Sequence, residues 1–173
     1  MEQKPISAIE QLQKSLQVVK SRQPAFPISD VLLCRLIHFS NRTMEQTAAD
    51  TLAPEGLLLS HWMVIAMLYG SADFRRRPQE LSKAIGHSGP NTTKTTVFLI
   101  EKGWVARIPD LDNRRSCWME LTPAGRTQVE HLLPKMWNAY QLALSPLTEP
   151  EKETLTRLIN KMLTGKKLPC TNK

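Results

Sequence analysis

Apolar residues change their spacing along the centre of the chain, between residues 78 and 122. They recur every three or four positions through 78–85 and again from residue 90, with a short polar turn between the two segments. Two short apolar segments follow, at 104–108 and 118–121, on either side of a polar run. Helical spacing predicts amphipathic helices, and short apolar segments around a polar run predict a β-hairpin. The predicted order is helix, tight turn, helix, strand, loop and strand.

Prolines and glycines mark the ends of the two central helices. Pro78 and Pro90 each suit a first helical turn, where the N–H that proline lacks would have no partner within the helix. Gly86 and Gly103 suit the position after a last turn, which often needs a positive φ. The run His87-Ser88-Gly89 is then predicted to form the turn. Two helices joined so closely predict a helix-turn-helix, and the hairpin after them predicts a wing.

Helical apolar patterns also flank the central region on both sides. Residues 57–69 are apolar nearly all round, which predicts a helix buried in the core. Capping boxes predict helix starts at Ser7 and Thr148, and Ser29 is predicted to cap a second helix. The sequence therefore predicts a mainly α fold with a small β-hairpin wing: a winged helix-turn-helix flanked by N- and C-terminal dimerisation helices. The predicted division is 1–56 for the N-terminal dimerisation helices, 57–122 for the DNA-binding module and 123–173 for the C-terminal dimerisation helices.

The flanking helices carry more apolar surface than a compact winged module needs to cover. The economical explanation is that they pack against a second copy of the chain. A two-fold homodimer would present two recognition helices to two half-sites one helical turn of DNA apart. The alternative is that the flanking helices complete a larger monomeric core.

Positive charge is concentrated in the central module. The formal net charge is +7, and residues 75–126 carry ten Lys or Arg residues against five acidic ones. A basic patch on one module is typical of a polyanion partner. Together with the predicted helix-turn-helix, the patch predicts that the partner is double-stranded DNA.

Composition and motifs exclude several other classes of protein. Three widely spaced cysteines, Cys34, Cys117 and Cys170, favour a reducing cytoplasmic location over a disulfide scaffold. No apolar run is long enough to span a membrane, and no secretory signal is visible. There is no glycine-rich phosphate loop, nucleophile elbow or paired-carboxylate arrangement, so no enzymatic activity is predicted. No cofactor is predicted, and the four histidines lack the spacing of a metal site.

The second helix of the motif begins with small polar side chains and one lysine. Asn pairs bidentately with adenine, Lys donates to guanine, and a Thr methyl suits the methyl of thymine, while amides at a helix start face phosphate. The wing loop adds two arginines. The predicted DNA-binding residues are Ser88, Pro90, Asn91, Thr92, Thr93, Lys94, Asp112, Arg114 and Arg115. Thr95 and Thr96 are predicted instead to pack on the core, and the run 75–77 is predicted to be solvated charge.

Several of these segments together resemble a known family. They are Glu80 to Gly86 (ELSKAIG), Leu99 to Trp104 (LIEKGW), Asn113-Arg114-Arg115 and Leu121 to Gly125 (LTPAG). In this order they resemble the MarR family of winged-helix regulators, and within it the branch of multidrug-efflux repressors called EmrR or MprA. The resemblance runs from about residue 7 to residue 163. It implies a homodimer that binds a palindromic operator and is released by small lipophilic or phenolic effectors.

The wing departs from the usual pattern of the family, which is Asp-x-Arg. In the register set by Leu121-Thr122, the acid position is occupied by Asn113 and the arginine is Arg115. A shift by one residue restores Asp112-Asn113-Arg114 but requires one extra residue in the second strand. Both arginines therefore stand as candidates for the minor groove.

The resemblance also implies an effector site in the cleft between the dimerisation helices and the winged module. Mixed aromatic, Met and basic side chains suit an anionic aromatic ligand. The candidates are Arg35, His38, His61, Trp62, Met63, Ala66 and Tyr69. For Trp62, Met63 and Tyr69, a place in the hydrophobic core is the alternative.

Two alternative functions remain open at this point. Some relatives sense peroxide through a thiol, and Cys117 lies close to the basic wing loop, whereas Cys34 is predicted to be a small buried hydrophobe. Winged helices also bind proteins, so an interaction module without an operator is the second alternative. The excess of positive charge on the wing argues against it.

Overall fold

The structure, a computed structural model, describes residues 5–85, 89–110 and 116–165. The chain divides into two compact units, Met1–Gln46 and Thr47–Lys173. The helices are α1 (Pro5–Arg22), α2 (Ile28–Leu52), α3 (Leu59–Tyr69), α4 (Pro78–Ile85), α5 (Gly89–Glu101), α6 (Pro123–Ala143) and α7 (Glu149–Thr164). The strands are β1 (Arg75–Arg76), β2 (Val105–Pro109) and β3 (Cys117–Leu121). The predicted fold class, mainly helical with a small sheet, is confirmed.

The first unit contains α1 and most of α2. Between them, the ammonium of Lys20 donates to the carbonyls of Pro24 at 2.7 Å and Phe26 at 2.9 Å. A lysine near a helix C-terminus satisfies carbonyls that have no partner within the helix, which fixes the turn before α2. The predicted caps were wrong, because α1 begins at Pro5, before Ser7, and α2 begins at Ile28, before Ser29. In both cases a helix starts one or two residues before the hydroxyl residue that was expected to cap it.

The second unit is built around α3. Five of its eleven residues are buried, and Val64, Ile65 and Leu68 are completely so. The prediction that this apolar stretch forms the central helix is confirmed. The buried cluster around it consists of Ala48, Leu52, Leu57, Trp62, Val64, Ile65, Leu68, Leu81, Leu99, Val105, Met119, Leu121, Val129, Leu132 and Met136.

The sheet has three antiparallel strands in the order β1-β3-β2. The predicted hairpin is present, with Val105 opposite Leu121 and Pro109 opposite Cys117. The third strand was not predicted, because the run 75–77 was expected to be solvated charge. Within that segment Arg75 pairs with Glu120 and Arg76 with Met119. Two residues are too few to show the alternation that identifies a strand in a sequence.

The C-terminal helices begin at the predicted places. The backbone N–H of Thr148 donates to Oε2 of Glu151 at 2.8 Å, which confirms the capping box of α7. Thr122 caps α6 and accepts a hydrogen bond from the backbone N–H of Gly125 at 3.1 Å. Among the described residues, no single helix is long and apolar enough to cross a membrane. The segments 28–55 and 59–69 pass a test of length and composition only together, as a bent pair.

Candidate nucleic-acid interface

The helix-turn-helix consists of α4 and α5, which contact each other and also contact α3. Leu81 of α4 and Leu99 of α5 are completely buried and attach both helices to the core. Thr95 is also buried, and its hydroxyl donates to Oγ of Ser60 at 3.4 Å. The prediction that Thr95 packs on the core is confirmed. Thr95 and Leu99 fix the rotation of α5 about its own axis and therefore decide which face remains open.

The open face of α5 carries part of the predicted DNA-binding set. Thr93 and Lys94 are exposed on the second turn of the helix. Pro90, Asn91 and Thr92 lie in the first turn, but their side chains are outside the described residues, as is all of Ser88. Exposed donors at the start of a helix that projects from a helix-turn-helix have the chemistry that major-groove recognition needs.

The apolar residue Phe98 lies where α5 meets α3. Its ring stacks on the imidazole of His61, with centroids 4.1 Å apart and planes 5° apart. His61 is buried, and its Nδ1 accepts the backbone N–H of Leu58 at 3.1 Å, at the start of α3. Burial lowers the pKa of the imidazole. The contact adds a second attachment of α5 to α3, one helical turn after Thr95 and on the same face of α5.

The wing is formed by β2 and β3. Asp110 and Ser116 stand where the two strands pass into the wing loop, and these two residues are called the wing base. The backbone N–H of Asp110 donates to the carbonyl of Ser116 at 3.2 Å, which extends the strand pairing by one more pair. Residues 111–115 are outside the described part of the chain, so Asp112, Arg114 and Arg115 are not placed by the structure. The two registers of the wing motif therefore stay open.

Arg77 and Asp110 form an ion pair at the wing base. Nη2 of Arg77 lies 2.6 Å from Oδ2 of Asp110, whose side chain is only 7% exposed. Asp110 opens the polar run that was predicted to form the hairpin tip, and its carboxylate turns inward to the arginine. The prediction of a solvated run at 75–77 was wrong for Arg76 and Arg77, which are half-buried in and beside β1.

Trp118 of β3 lies beneath two arginines of the same run. The guanidinium carbon of Arg77 is 3.6 Å from the ring centroid, and that of Arg75 is 4.9 Å from it. Strand alternation explains the arrangement, because residues 75 and 77 share one face of the edge strand and residues 118 and 120 share the corresponding face of its neighbour. This cluster was not predicted, because the arginine run and Trp118 are far apart in the sequence and no local pattern connects them.

Five exposed cations lie on or directly beside α4, α5 and the strands of the sheet. They are Arg75, Lys83, Lys94, Lys102 and Arg107. Such charges attract phosphate without regard to base sequence and add to the affinity of any duplex. The electrostatic and the sequence-reading parts of a DNA interface thus occur on one unit of the fold.

The candidates for effector binding are divided between the two units. Arg35 and His38 lie on α2 in the first unit, and both are exposed. On α3 in the second unit, His61 and Trp62 are buried, whereas Met63, Ala66 and Tyr69 are half-buried. The indole of Trp62 donates to the hydroxyl of Tyr140, whose pKa is raised by burial and lowered by this hydrogen bond, with burial the larger effect. The effector set stays a prediction.

The cysteines bear on the thiol-sensing alternative. Cys34 is exposed, so the prediction that it is a buried hydrophobe was wrong. Cys117 is half-buried, and Nε of Arg107 donates to its sulfur at 3.1 Å. Cys170 lies outside the described residues. Among the described residues, no three His, Cys, Asp or Glu side chains come together as a metal site.

Comparisons with known proteins agree with this geometry. Residues 55–116 match the MarR family. Over 158 residues the chain is 28% identical to the transcriptional repressor MprA of Escherichia coli strain K12, which covers 91% of this chain and 89% of that protein. A crystal structure of a mutant MarR from E. coli in complex with operator DNA superimposes with a TM-score of 0.70 at 26% identity, covering 80% of this chain and 99% of the other.

A more distant structure shares the fold. It is that of Bordetella bronchiseptica BpsR, solved to explain how 6-hydroxynicotinic acid regulates its DNA binding. Its TM-score is 0.68 at 20% identity, with 76% of this chain and 98% of the other covered. The predictions of a MarR-type fold and of a transcriptional regulator are confirmed by these findings. The family is one of transcriptional regulators, which are not enzymes.

Proposed function

We propose that this chain, a MarR-family winged-helix transcriptional regulator, acts as a repressor that small aromatic or lipophilic ligands release from a palindromic operator. The recognition helix is α5, which enters the major groove with Asn91, Thr93 and Lys94 among its contacts. The wing arginines, Arg114 and Arg115, enter the adjacent minor groove. A regulator of transcription works where the DNA is, so the proposed location is the cytoplasm.

The observation that carries this proposal is the way α5 is attached to the core. Thr95, Phe98 and Leu99 all face inward, toward Ser60, His61 and the buried cluster. Thr93 and Lys94 remain exposed beyond them. A helix that is held on one side and exposed at Thr93 and Lys94 is preorganised to enter a groove, because it loses little conformational freedom on binding.

A homodimer is part of the proposal. On α7, apolar side chains are exposed at the spacing of one helical stripe. They are Leu155, Leu158, Ile159, Met162 and Leu163, between 39% and 72% exposed. A contiguous apolar stripe on a monomer surface is typical of an oligomer contact, and two-fold symmetry is the commonest arrangement. The partner we propose is a second copy of the chain, which would supply the second recognition helix for the second half-site.

The first experiment selects DNA from a random duplex library and then measures affinity for the selected site by fluorescence anisotropy. Wild-type binding is expected to weaken by about three orders of magnitude between about 50 mM and about 200 mM salt, as phosphate contacts require. Replacement of both wing arginines (Arg114→Ala with Arg115→Ala) is expected to weaken it by about a hundredfold, because each lost phosphate or base contact is worth about 1–3 kcal/mol.

The matched control removes two positive charges elsewhere. Arg157→Ala with Lys161→Ala changes the net charge equally on the polar side of α7. This control is expected to weaken binding by no more than about threefold, since distant charges act only through screened attraction. Equal losses in the two double variants, or failure to select any site, would favour the interaction-module alternative.

The dimer is tested with one substitution in the α7 stripe. Leu158→Glu places a charge where the partner helix would pack, so sedimentation is expected to show a monomer. The control Asn160→Glu adds the same charge on the polar side of the helix and is expected to leave a dimer. If Leu158→Glu sedimented like the wild type, the α7 stripe would not be the dimer contact.

The effector proposal names small aromatic acids and phenols. Its support is the set of aromatic and Met side chains on α3, Trp62, Met63 and Tyr69, together with the regulation of BpsR by 6-hydroxynicotinic acid. Arg35 and His38 of α2 stay the basic candidates predicted from the sequence. Salicylate and 6-hydroxynicotinate are suitable probes in the anisotropy assay. Release of operator DNA by either compound would support the effector class, and loss of release in Arg35→Ala would assign the carboxylate contact.

A further inference from the structure

We propose that Arg77 is a positioning residue that attaches the base of the wing to the start of α4, so that the wing arginines are held where they can meet DNA. The inference rests on the DNA-binding function proposed above and deepens it. It concerns the residues that hold the wing in place, which lie outside the set that touches nucleic acid.

The guanidinium of Arg77 takes a different partner on each terminal nitrogen. Nη2 lies 2.6 Å from the Asp110 carboxylate, and Nη1 donates to Oγ of Ser116 at 2.5 Å. Asp110 directly follows β2 and Ser116 directly precedes β3. The Arg77 side chain therefore joins both strands at the point where they pass into the wing loop. The flat face of the guanidinium covers Trp118. Arginine suits this place because its planar fork serves two acceptors and an aromatic ring at once.

Burial makes this ion pair different from an ordinary surface pair. The Asp110 side chain is 7% exposed and that of Arg77 is 31% exposed. A buried carboxylate that loses a paired cation keeps its desolvation penalty with less compensation, so the chain around it is driven to move toward water. The part that would move is the base of the wing, where the N–H of Asp110 bonds to the carbonyl of Ser116.

The main chain of Arg77 is fixed at the other end of this connection. Its N–H donates to Oε2 of Glu80 at 2.9 Å, and its carbonyl accepts from the backbone N–H groups of Glu80 and Leu81. Arg77 is therefore the N-cap residue of α4, directly before Pro78, and Leu81 of the same helix is completely buried. The Arg77 side chain therefore links the start of α4 to the wing loop. Asp110 precedes both registers of the family wing motif, so it is distinct from the acid of that motif.

Two opposite substitutions separate positioning from simple charge. Arg77→Ala lowers the net charge by one and Asp110→Asn raises it by one. If Arg77 acts only as a positive charge near DNA, the first variant weakens DNA binding and the second strengthens it. If it holds the wing, both variants weaken binding by about tenfold, within the range known for coupled residues.

The chain offers a matched control for the same chemistry. Arg75 pairs with Asp73 at 2.5 Å beside the same tryptophan, but both side chains are exposed and neither contacts the wing base. We expect Arg75→Ala to weaken DNA binding by about twofold and Asp73→Asn to strengthen it slightly, as screened surface charges do. Changes in DNA affinity of opposite sign for Arg75→Ala and Asp73→Asn, together with losses in both Arg77→Ala and Asp110→Asn, would identify Arg77 as the positioning residue.

A double-mutant cycle then asks through which residues Arg77 acts. In a background that already carries Arg114→Ala and Arg115→Ala, the further change Arg77→Ala is expected to have almost no effect on DNA affinity. A contact between Arg77 and phosphate, or general destabilisation of the fold, would instead add its full effect in that background. Full additivity would overturn the proposal.

Amide hydrogen exchange provides a measurement that needs no DNA. Arg77→Ala, Asp110→Asn and the milder Ser116→Ala are expected to speed exchange of the Asp110 amide at least tenfold, and Arg75→Ala to leave it unchanged. Unchanged exchange in the first three variants would overturn the proposal even if DNA affinity fell. Wild-type protein that bound no DNA would contradict the proposed function, and exchange would still decide whether Arg77 holds the wing.

Discussion

The imidazole of His61 and the ring of Phe98 lie parallel, 4.1 Å apart. His61 is the third residue of the core helix and Phe98 lies in the C-terminal half of the recognition helix, so the stack couples the two elements. Since Nδ1 of His61 accepts the backbone N–H of Leu58, the ring holds its proton on Nε2 and is neutral. The orientation of α5 thus depends on a histidine that must remain uncharged.

This dependence predicts a loss of stability in mild acid. Burial lowers the pKa of His61, so the unfolded chain takes up a proton before the folded chain does. Stability is complete above the unfolded pKa of about 6.5 and falls as the pH drops from there through the folded pKa. The change to test is His61→Gln, which keeps an acceptor at the third helical position without a group that titrates. Thermal unfolding between about pH 7.5 and about pH 5.5 is expected to show a smaller decrease in Tm for the variant.

The other three histidines are the same in both proteins, so whatever they contribute cancels in this comparison. Equal pH dependence in wild type and His61→Gln would mean that His61 is already protonated in the folded chain, or equally solvated in both states. Either result would contradict the neutral, buried imidazole described above.

A second prediction concerns the close approach of α6 to the sheet. A Cβ on Gly125 would lie 2.2 Å from the carbonyl oxygen of Trp104 and 2.8 Å from Cδ1 of Leu121. Because backbone cannot move aside cheaply, Gly125→Ala is expected to lower the free energy of unfolding by about 2–3 kcal/mol. Urea unfolding measures this decrease in the free energy of unfolding. Gly103→Ala is the control: its φ is +71° with nothing within 4 Å, so it is expected to lose only about 1 kcal/mol through backbone strain. A Gly125→Ala protein as stable as wild type would mean that α6 can shift away from Trp104.

The helices that frame the site could be predicted from the sequence because their signals are repeated many times over. The apolar stretch of α3 and the helical apolar patterns that include Leu81 in α4 and Leu99 in α5 each consist of several residues. The capping box at Thr148 is a local motif with its own hydrogen bonds. By contrast, the hydroxyls of Ser7 and Ser29 do not determine where a helix begins, because α1 and α2 start one or two residues earlier, at Pro5 and directly after Pro27.

The wing base could not be predicted, because its parts are distant in sequence and each had a commoner explanation. Arg77 belonged to a charge run, Asp110 to a polar loop, and Trp118 to a strand. Only the pairing of β1 with β3 brings them together. A tertiary ion pair leaves no periodic trace in a sequence, so a charged residue that is buried against its partner resembles a solvated one until the fold is known.

A third prediction concerns the cluster that joins residue 55 to α6. Lys135 Nζ bonds to Oε1 of Glu55, and Nε2 of His131 lies 3.3 Å from the same oxygen. Hydrogen bonds from Lys135 and then from His131 lower the pKa of Glu55. The stabilisation is therefore present above the unfolded pKa of about 4.3 and is lost as the pH falls through the folded pKa.

The variant Glu55→Gln measures that contribution. It is expected to unfold at a lower temperature than wild type at neutral pH and at nearly the same temperature once Glu55 is protonated in both states. Glu153→Gln, an exposed carboxylate on α7, is the control, with little effect at either pH. A difference between Glu55→Gln and wild type that persisted undiminished in strong acid would show that the carboxylate charge is not its source.

The last prediction compares two lysines at opposite ends of the recognition helix. Lys94 is exposed on its second turn, whereas Lys102 follows its last residue and lies 5.6 Å from the centroid of Phe98. If the N-terminal end of α5 enters the groove, Lys94→Ala is expected to weaken operator binding by about tenfold and to reduce the salt slope by about one per protomer. Lys102→Ala removes the same charge where the helix has left the DNA, so affinity is expected to fall by about twofold or less. Equal losses in affinity and slope would mean that α5 lies along the phosphate backbone, and base reading would then have to come from another part of the fold.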